Sequence, residues 1–132
     1  ICNDFTSRSI EAENPIYLPQ AKTFTGSCAL SNEIVPWWEI EHPTDLTISL
    51  NIQRAGATWF KGSASTSAMK RSYQELVTWL FAAMDFPDGV VLSTGTCIVP
   101  ELGHSMLEGD EVTVRVDQLG SLTNTMSFEG SR

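Results

Sequence analysis

Residues 45–54, DLTISLNIQR, set Leu46, Ile48, Leu50 and Ile52 at every second position, with polar residues between them. Successive side chains of a strand point to opposite faces, so this spacing predicts a half-buried β-strand and is incompatible with a helix. Ala55-Gly56-Ala57 then offers a turn, and Thr58-Trp59-Phe60 begins an apolar return, so a hairpin is expected here. The same period recurs in Val112, Val114 and Val116 of EGDEVTVRVDQLG. Gly109-Asp110 before this run and Gly120 after it supply turn chemistry.

The rest of the chain fits around these strands. Pro15, Pro19, Pro36 and Pro43 break any long helix or central strand in residues 1–44, which read as loops and short strands. Ser65 or Thr66 is a suitable N-cap for an amphipathic helix over residues 67–84, where Met69, Tyr73, Leu76, Val77, Leu80, Phe81 and Met84 recur at three- and four-residue spacing. Pro87 and Asp88-Gly89 end that helix and turn into Val90-Val91-Leu92, expected as a short buried strand. The result is one mostly β (α+β) domain of mixed connectivity with one main helix, at a length of 132 residues that can bury a real core.

Charge narrows the partners. Lys and Arg number 8 against 16 Asp and Glu, for a net charge of −8, and no basic cluster is larger than Lys70-Arg71. Nucleic acid and anionic membranes both require a positive footprint, so neither is expected. No run approaches the roughly 18 consecutive apolar residues of a membrane span, and a cytoplasmic protein is the expectation. Cys2, Cys28 and Cys97 lack the paired spacing of a zinc site, with His42 and His104 far from any of them in sequence, and read as reduced, partly buried thiols. Trp37-Trp38 beside Pro36 suit core or dimer packing.

Three segments carry polar residues that propensity does not explain: Asp4 with Arg8, Lys22 within Leu18-Pro19-Gln20-Ala21-Lys22, and Ser93-Thr94-Gly95-Thr96 at the end of an apolar run. Taken singly, these read as a surface ion pair, an edge lysine and a turn. No Ser/His/Asp set, phosphate-cradling glycine loop or HExxH element competes with them.

Taken in order, ND-x-x-x-R at 3–8, NPIYLPQAKTFTGSCAL at 14–30, STGTCIVP at 93–100, L-x-GD-x-V at 107–112 and LGSLTN at 119–124 resemble the C-terminal catalytic domain of the fumarylacetoacetate hydrolase superfamily. The ENP-x-YLPQAK wording, the SASTSAMKR segment and FPDGVVLSTGTCIVP are most similar to its 2-keto-3-deoxy sugar acid dehydratase branch. The resemblance implies a mixed β-sandwich or roll and a divalent cation, Mg2+ or else Mn2+ or Ca2+. Asp4 corresponds to one of three metal carboxylates, Lys22 to the catalytic, substrate-facing lysine, and Gly95 and Thr96 to the lining of the substrate pocket. Arg8 corresponds to an arginine near the metal and is a substrate-binding candidate.

Such a site would hold a 2-oxo acid on the cation, so that a C3 proton becomes removable and the enolate is held by the metal. A dehydratase then expels a β-hydroxyl. The alternative is C–C hydrolysis or decarboxylation of acylpyruvate- or oxaloacetate-type acids, and from another class a non-catalytic β domain used for association or small-ligand binding. Lys22 can serve as an ammonium facing substrate charge or as a neutral amine acting as base, and the electrostatic role is preferred.

The family's other two carboxylates come from an upstream Glu-x-Glu that these residues lack. Glu11-Ala12-Glu13 has the spacing but follows Asp4, and is a poor substitute. The chain is therefore expected to be the C-terminal part of a longer homodimeric enzyme and inactive on its own. Cys97 stands where glycine commonly follows TGT, and Leu30-Ser31-Asn32 where LGP is common.

Overall fold

The computed structural model describes residues 1–101 and 105–127. Strand β1 (Cys2–Asp4) pairs antiparallel with β2 (Cys28–Leu30) in a small sheet. Between them run two short helices, α1 (Arg8–Glu13) and α2 (Leu18–Lys22). The prolines confine this segment to short pieces as expected, and Pro19 falls within the first turn of α2, where its missing N–H is no loss.

The alternating run forms β3 (Thr47–Arg54), and its return forms β4 (Ala57–Ser65). Ala55 and Gly56 both take positive φ, 50° and 77°, the turn hand that matches the twist of the flanking strands. The second alternating run forms β5 (Glu111–Val116), which turns at Gly120 (φ 87°) into β6 (Gly120–Thr125). All pairings are antiparallel, in the order β4-β3-β5-β6. The mostly β expectation holds.

Register places Ile52 opposite Val112, and these two, with Leu46, Ile98 and Ala21, are the buried apolar residues of the described chain. The two sheets are tied by Asn3 Nδ2, which donates to Asn124 Oδ1 of β6 over 3.0 Å. Gln118, in the β5–β6 turn, fastens the loop before β3: its Oε1 accepts from Glu41 N (2.7 Å) and its Nε2 donates to Glu41 O (2.8 Å).

Two local expectations are corrected. The helix is not 67–84 but α3, Tyr73–Leu80. Ser65 caps only a 3-10 turn over Thr66–Ala68, after which Met69 leaves helical space at ψ 129°. Ser72 starts α3 afresh by accepting from Glu75 N, an S-x-x-E start that the apolar spacing had concealed. Val90–Leu92 form no strand and stand exposed. An apolar run becomes a strand only where a sheet edge accepts its backbone, and these residues join neither sheet.

Candidate active site

Asp4 ends β1, and alternation along the extended chain puts Cys2, Asp4 and Thr6 toward one side. Lys22 ends α2, and the two meet because the chain after β1 is bolted to the end of that helix. Ser7 N donates to Ala21 O (2.8 Å), Ala21 is fully buried, Phe5 N donates to Ser27 O (2.8 Å), and Ser27 Oγ donates to Lys22 O (2.7 Å). Lys22 Nζ consequently donates to Asp4 Oδ2 at 2.7 Å and to Thr6 Oγ1 at 2.8 Å. Both charged side chains are about a third exposed, so the pair is reachable from solvent.

Thr6 is the residue that sequence reasoning missed. Its hydroxyl accepts from Lys22 and turns its own proton to Asp4 O at 3.3 Å. The period-2 spacing Cys2, Asp4, Thr6 was the signal that could have found it.

Ser93-Thr94-Gly95-Thr96 reaches the same neighbourhood through Ser93, whose side chain lies close enough to the Cys2 thiol to influence it. Burial first, then the adjoining Cys28 thiol and the Asp4 carboxylate, push the Cys2 thiol up, against the opposing influence of Ser93. Gly95 takes φ 83° with open space where a side chain would stand. Thr96 Oγ1 accepts from Ile98 N at 3.1 Å, so its proton remains free to donate.

Ile98 anchors this segment on the large sheet over Gly62 of β4, where an added Cβ would lie 2.6 Å from Ile98 Cγ2. That side chain is β-branched and stiff. Gly62→Ala is therefore expected to cost about 1–3 kcal/mol by overpacking. Urea unfolding checks the effect.

The remaining candidates lie apart. Arg8 begins α1, where its guanidinium pairs with Glu11 one turn on, and this pairing also occupies the first acid of Glu11-Ala12-Glu13. Arg71 pairs with Glu75. Cys28 and Cys97 are exposed, and only Cys2 has the half-buried setting expected of all three. Trp38 is 83% exposed, while Trp37 meets Tyr73 edge-on at 5.5 Å. His104 lies outside the described residues.

Among the described residues, no group of three or more His, Cys, Asp or Glu side chains is placed to hold a metal. The donor set fits one metal ligand. Asp4 Oδ2 takes the ammonium, and Oδ1 has no hydrogen-bond partner among the described residues. Mg2+ commonly takes one or two protein carboxylates and completes its shell with water and substrate oxygens.

Fold and site together define a class. The chain matches the family described as fumarylacetoacetate (FAA) hydrolase C-terminal over residues 1–127 and belongs to it. Within that family it is 40% identical over 122 residues, 92% of this chain and 41% of the relative, to the 2-dehydro-3-deoxy-D-arabinonate dehydratase of Saccharolobus solfataricus. It is 38% identical over 125 residues, 95% of this chain and 43% of the relative, to a "probable 2-keto-3-deoxyxylonate dehydratase" of Haloferax volcanii. A solved 2-keto-3-deoxy-D-arabinonate dehydratase, complexed with magnesium and 2,5-dioxopentanoate, superposes with a TM-score of 0.89 at 39% identity, over 94% of this chain and 44% of its own. The chain thus spans about two-fifths of the length of the curated relatives it matches.

Proposed function

We propose that this chain is the C-terminal part of a cytoplasmic, homodimeric, divalent-metal-dependent lyase that dehydrates a 2-keto-3-deoxy sugar acid. The observation that carries the reading is the Lys22–Asp4 pair at 2.7 Å, in a chain about 40% identical to relatives named as dehydratases. A bound divalent cation would supply Lewis acidity toward the 2-oxo acid.

The chain's own residues do the rest. Asp4 offers a carboxylate oxygen to the cation. Lys22 holds its charge at Nζ, braced by Thr6, where it faces the negative charge that develops on substrate. Thr96 donates its free proton to the substrate carboxylate, and the open backbone at Gly95 allows close approach. Arg8 serves substrate binding in this reading only by leaving Glu11 when the site is occupied.

The remaining metal carboxylates, a Glu-x-Glu, come from elsewhere in the enzyme. Support for further protein against this chain comes from its apolar surface: Ile34 is 94% exposed, and Trp38, Trp79 and Val91 are also largely uncovered. Among the described residues, no helix is long and apolar enough to cross a membrane.

The test is a panel of 2-keto-3-deoxy aldonates, acylpyruvates and oxaloacetate given to the whole protein with Mg2+, scored for water loss against carbon–carbon cleavage. Water loss from a 2-keto-3-deoxy aldonate is expected. Cleavage of an acylpyruvate with no dehydration would replace this reading with the hydrolase one. The 132 residues alone are expected to turn over nothing.

A further inference from the structure

We infer that Cys2 and Cys28 form a reversible dithiol–disulfide couple at the edge of the Asp4 site, closed by a hydroperoxide. Their sulfurs are 3.7 Å apart, in contact across β1 and β2. Register sets Cys28 opposite Asp4 and Cys2 opposite Leu30, so the two thiols are diagonal neighbours on the face that carries the metal-ligand candidate. Diagonal positions on paired strands ordinarily stand about 7–8 Å apart, and here both side chains lean inward until the sulfurs touch. Closing to a disulfide brings the sulfurs to about 2.0 Å, a contraction that side-chain rotation and two three-residue strands can absorb.

The two cysteines differ in the way such a couple requires. Cys28 is exposed and Cys2 is half-buried, so Cys28 meets the oxidant and Cys2 resolves. Cys28 sulfur gives up its proton and attacks the terminal peroxide oxygen, the O–O bond breaks, and an alcohol or water leaves with that proton, giving the sulfenic acid. Cys2 sulfur then displaces the hydroxyl, which departs as water with the Cys2 proton. Two electrons pass from the two sulfurs to the peroxide, and any dithiol reductant reverses the change. Cys97, exposed and with no thiol neighbour among the described residues, is the internal control.

The test treats the whole native polypeptide with equimolar hydrogen peroxide, alkylates the remaining thiols, digests without reduction and maps the peptides by mass. Expected is a linked pair carrying Cys2 and Cys28 that dithiothreitol dissolves, with Cys97 alkylated. In Cys28→Ser the link is gone and Cys2 is alkylated. Recovery of Cys2 and Cys28 both alkylated, or both separately over-oxidised, overturns the couple, as does linkage of Cys97 at comparable yield. No turnover is measured, so the result is independent of the dehydratase reading.

Discussion

In the proposed dehydratase, Asp4→Ala and Lys22→Ala are each expected to lower kcat/KM of the whole protein by about a hundred- to a thousandfold, and to fail in opposite ways. Asp4→Ala would remove the carboxylate oxygen proposed for the cation, so the Mg2+ concentration for half-maximal activity is expected to rise. Lys22→Ala withdraws an ammonium that sits 2.7 Å from Asp4 Oδ2 and competes with a cation for that carboxylate. Its Mg2+ requirement therefore falls or stays unchanged while turnover collapses. Lys22→Arg keeps the charge on a bulkier, planar group and recovers part of the rate if the role is electrostatic, and none if Lys22 must take a proton. Metal titrations of steady-state rate on the three variants check this. A Lys22→Ala enzyme retaining more than about a tenth of wild-type kcat/KM would sink the assignment.

The largest stability loss is expected at Asp110. This carboxylate is only 1% exposed. It takes Arg54 Nε on Oδ1 (2.8 Å), and both Arg54 Nη2 and Leu107 N on Oδ2 (2.7 Å each). Arg54 in turn lies over the Trp59 ring, 4.2 Å from its centroid. Asp110→Ala strands an arginine fork and a backbone N–H together, at a cost of about 2–3 kcal/mol.

The Arg54 fork, against burial and with help from Leu107 N, holds the Asp110 carboxyl below the usual carboxylate range. A depressed folded-state pKa contributes stability that is complete above the unfolded value, about 3.9, and is lost as pH falls through the folded one. Wild type should therefore lose this contribution below about pH 4, and Asp110→Ala should show a flatter acid limb. Chemical denaturation between pH 3 and pH 7 reads the difference, and parallel acid limbs would contradict the assignment.

How legible this was depended on the range of the interaction. The β3–β4 hairpin and β5 could be read because a period of two is local and Leu46, Ile52 and Val112 needed only an adjacent strand to be buried. The helix boundary failed because Met69 and Tyr73 kept helical spacing across a break that Ser72 and Glu75 define through one hydrogen bond. Val90–Leu92 carried strand composition, but pairing depends on a partner edge that composition does not encode. At the candidate site, Asp4 and Lys22 were singled out by their resemblance to family motifs, and that they touch became visible only in the fold, as did the contact of Thr6 with Lys22. The GD of L-x-GD-x-V had looked like turn chemistry and is also the receptor for a distant arginine.

The strand order β4-β3-β5-β6 also fixes a sequence of events. Each hairpin closes over a short turn, whereas β3 reaches β5 only after the whole of residues 66–110 has been spanned, so docking of the two hairpins carries the main loop-closure cost. Ser93 to Ile98 belong to that spanning segment, with one end leaving β4 and the other entering β5. The turn that carries Gly95 and Thr96 is thus the last part of the chain to find its place, and pulse-labelled hydrogen exchange should protect the Ile98 amide after those of β3 and β4.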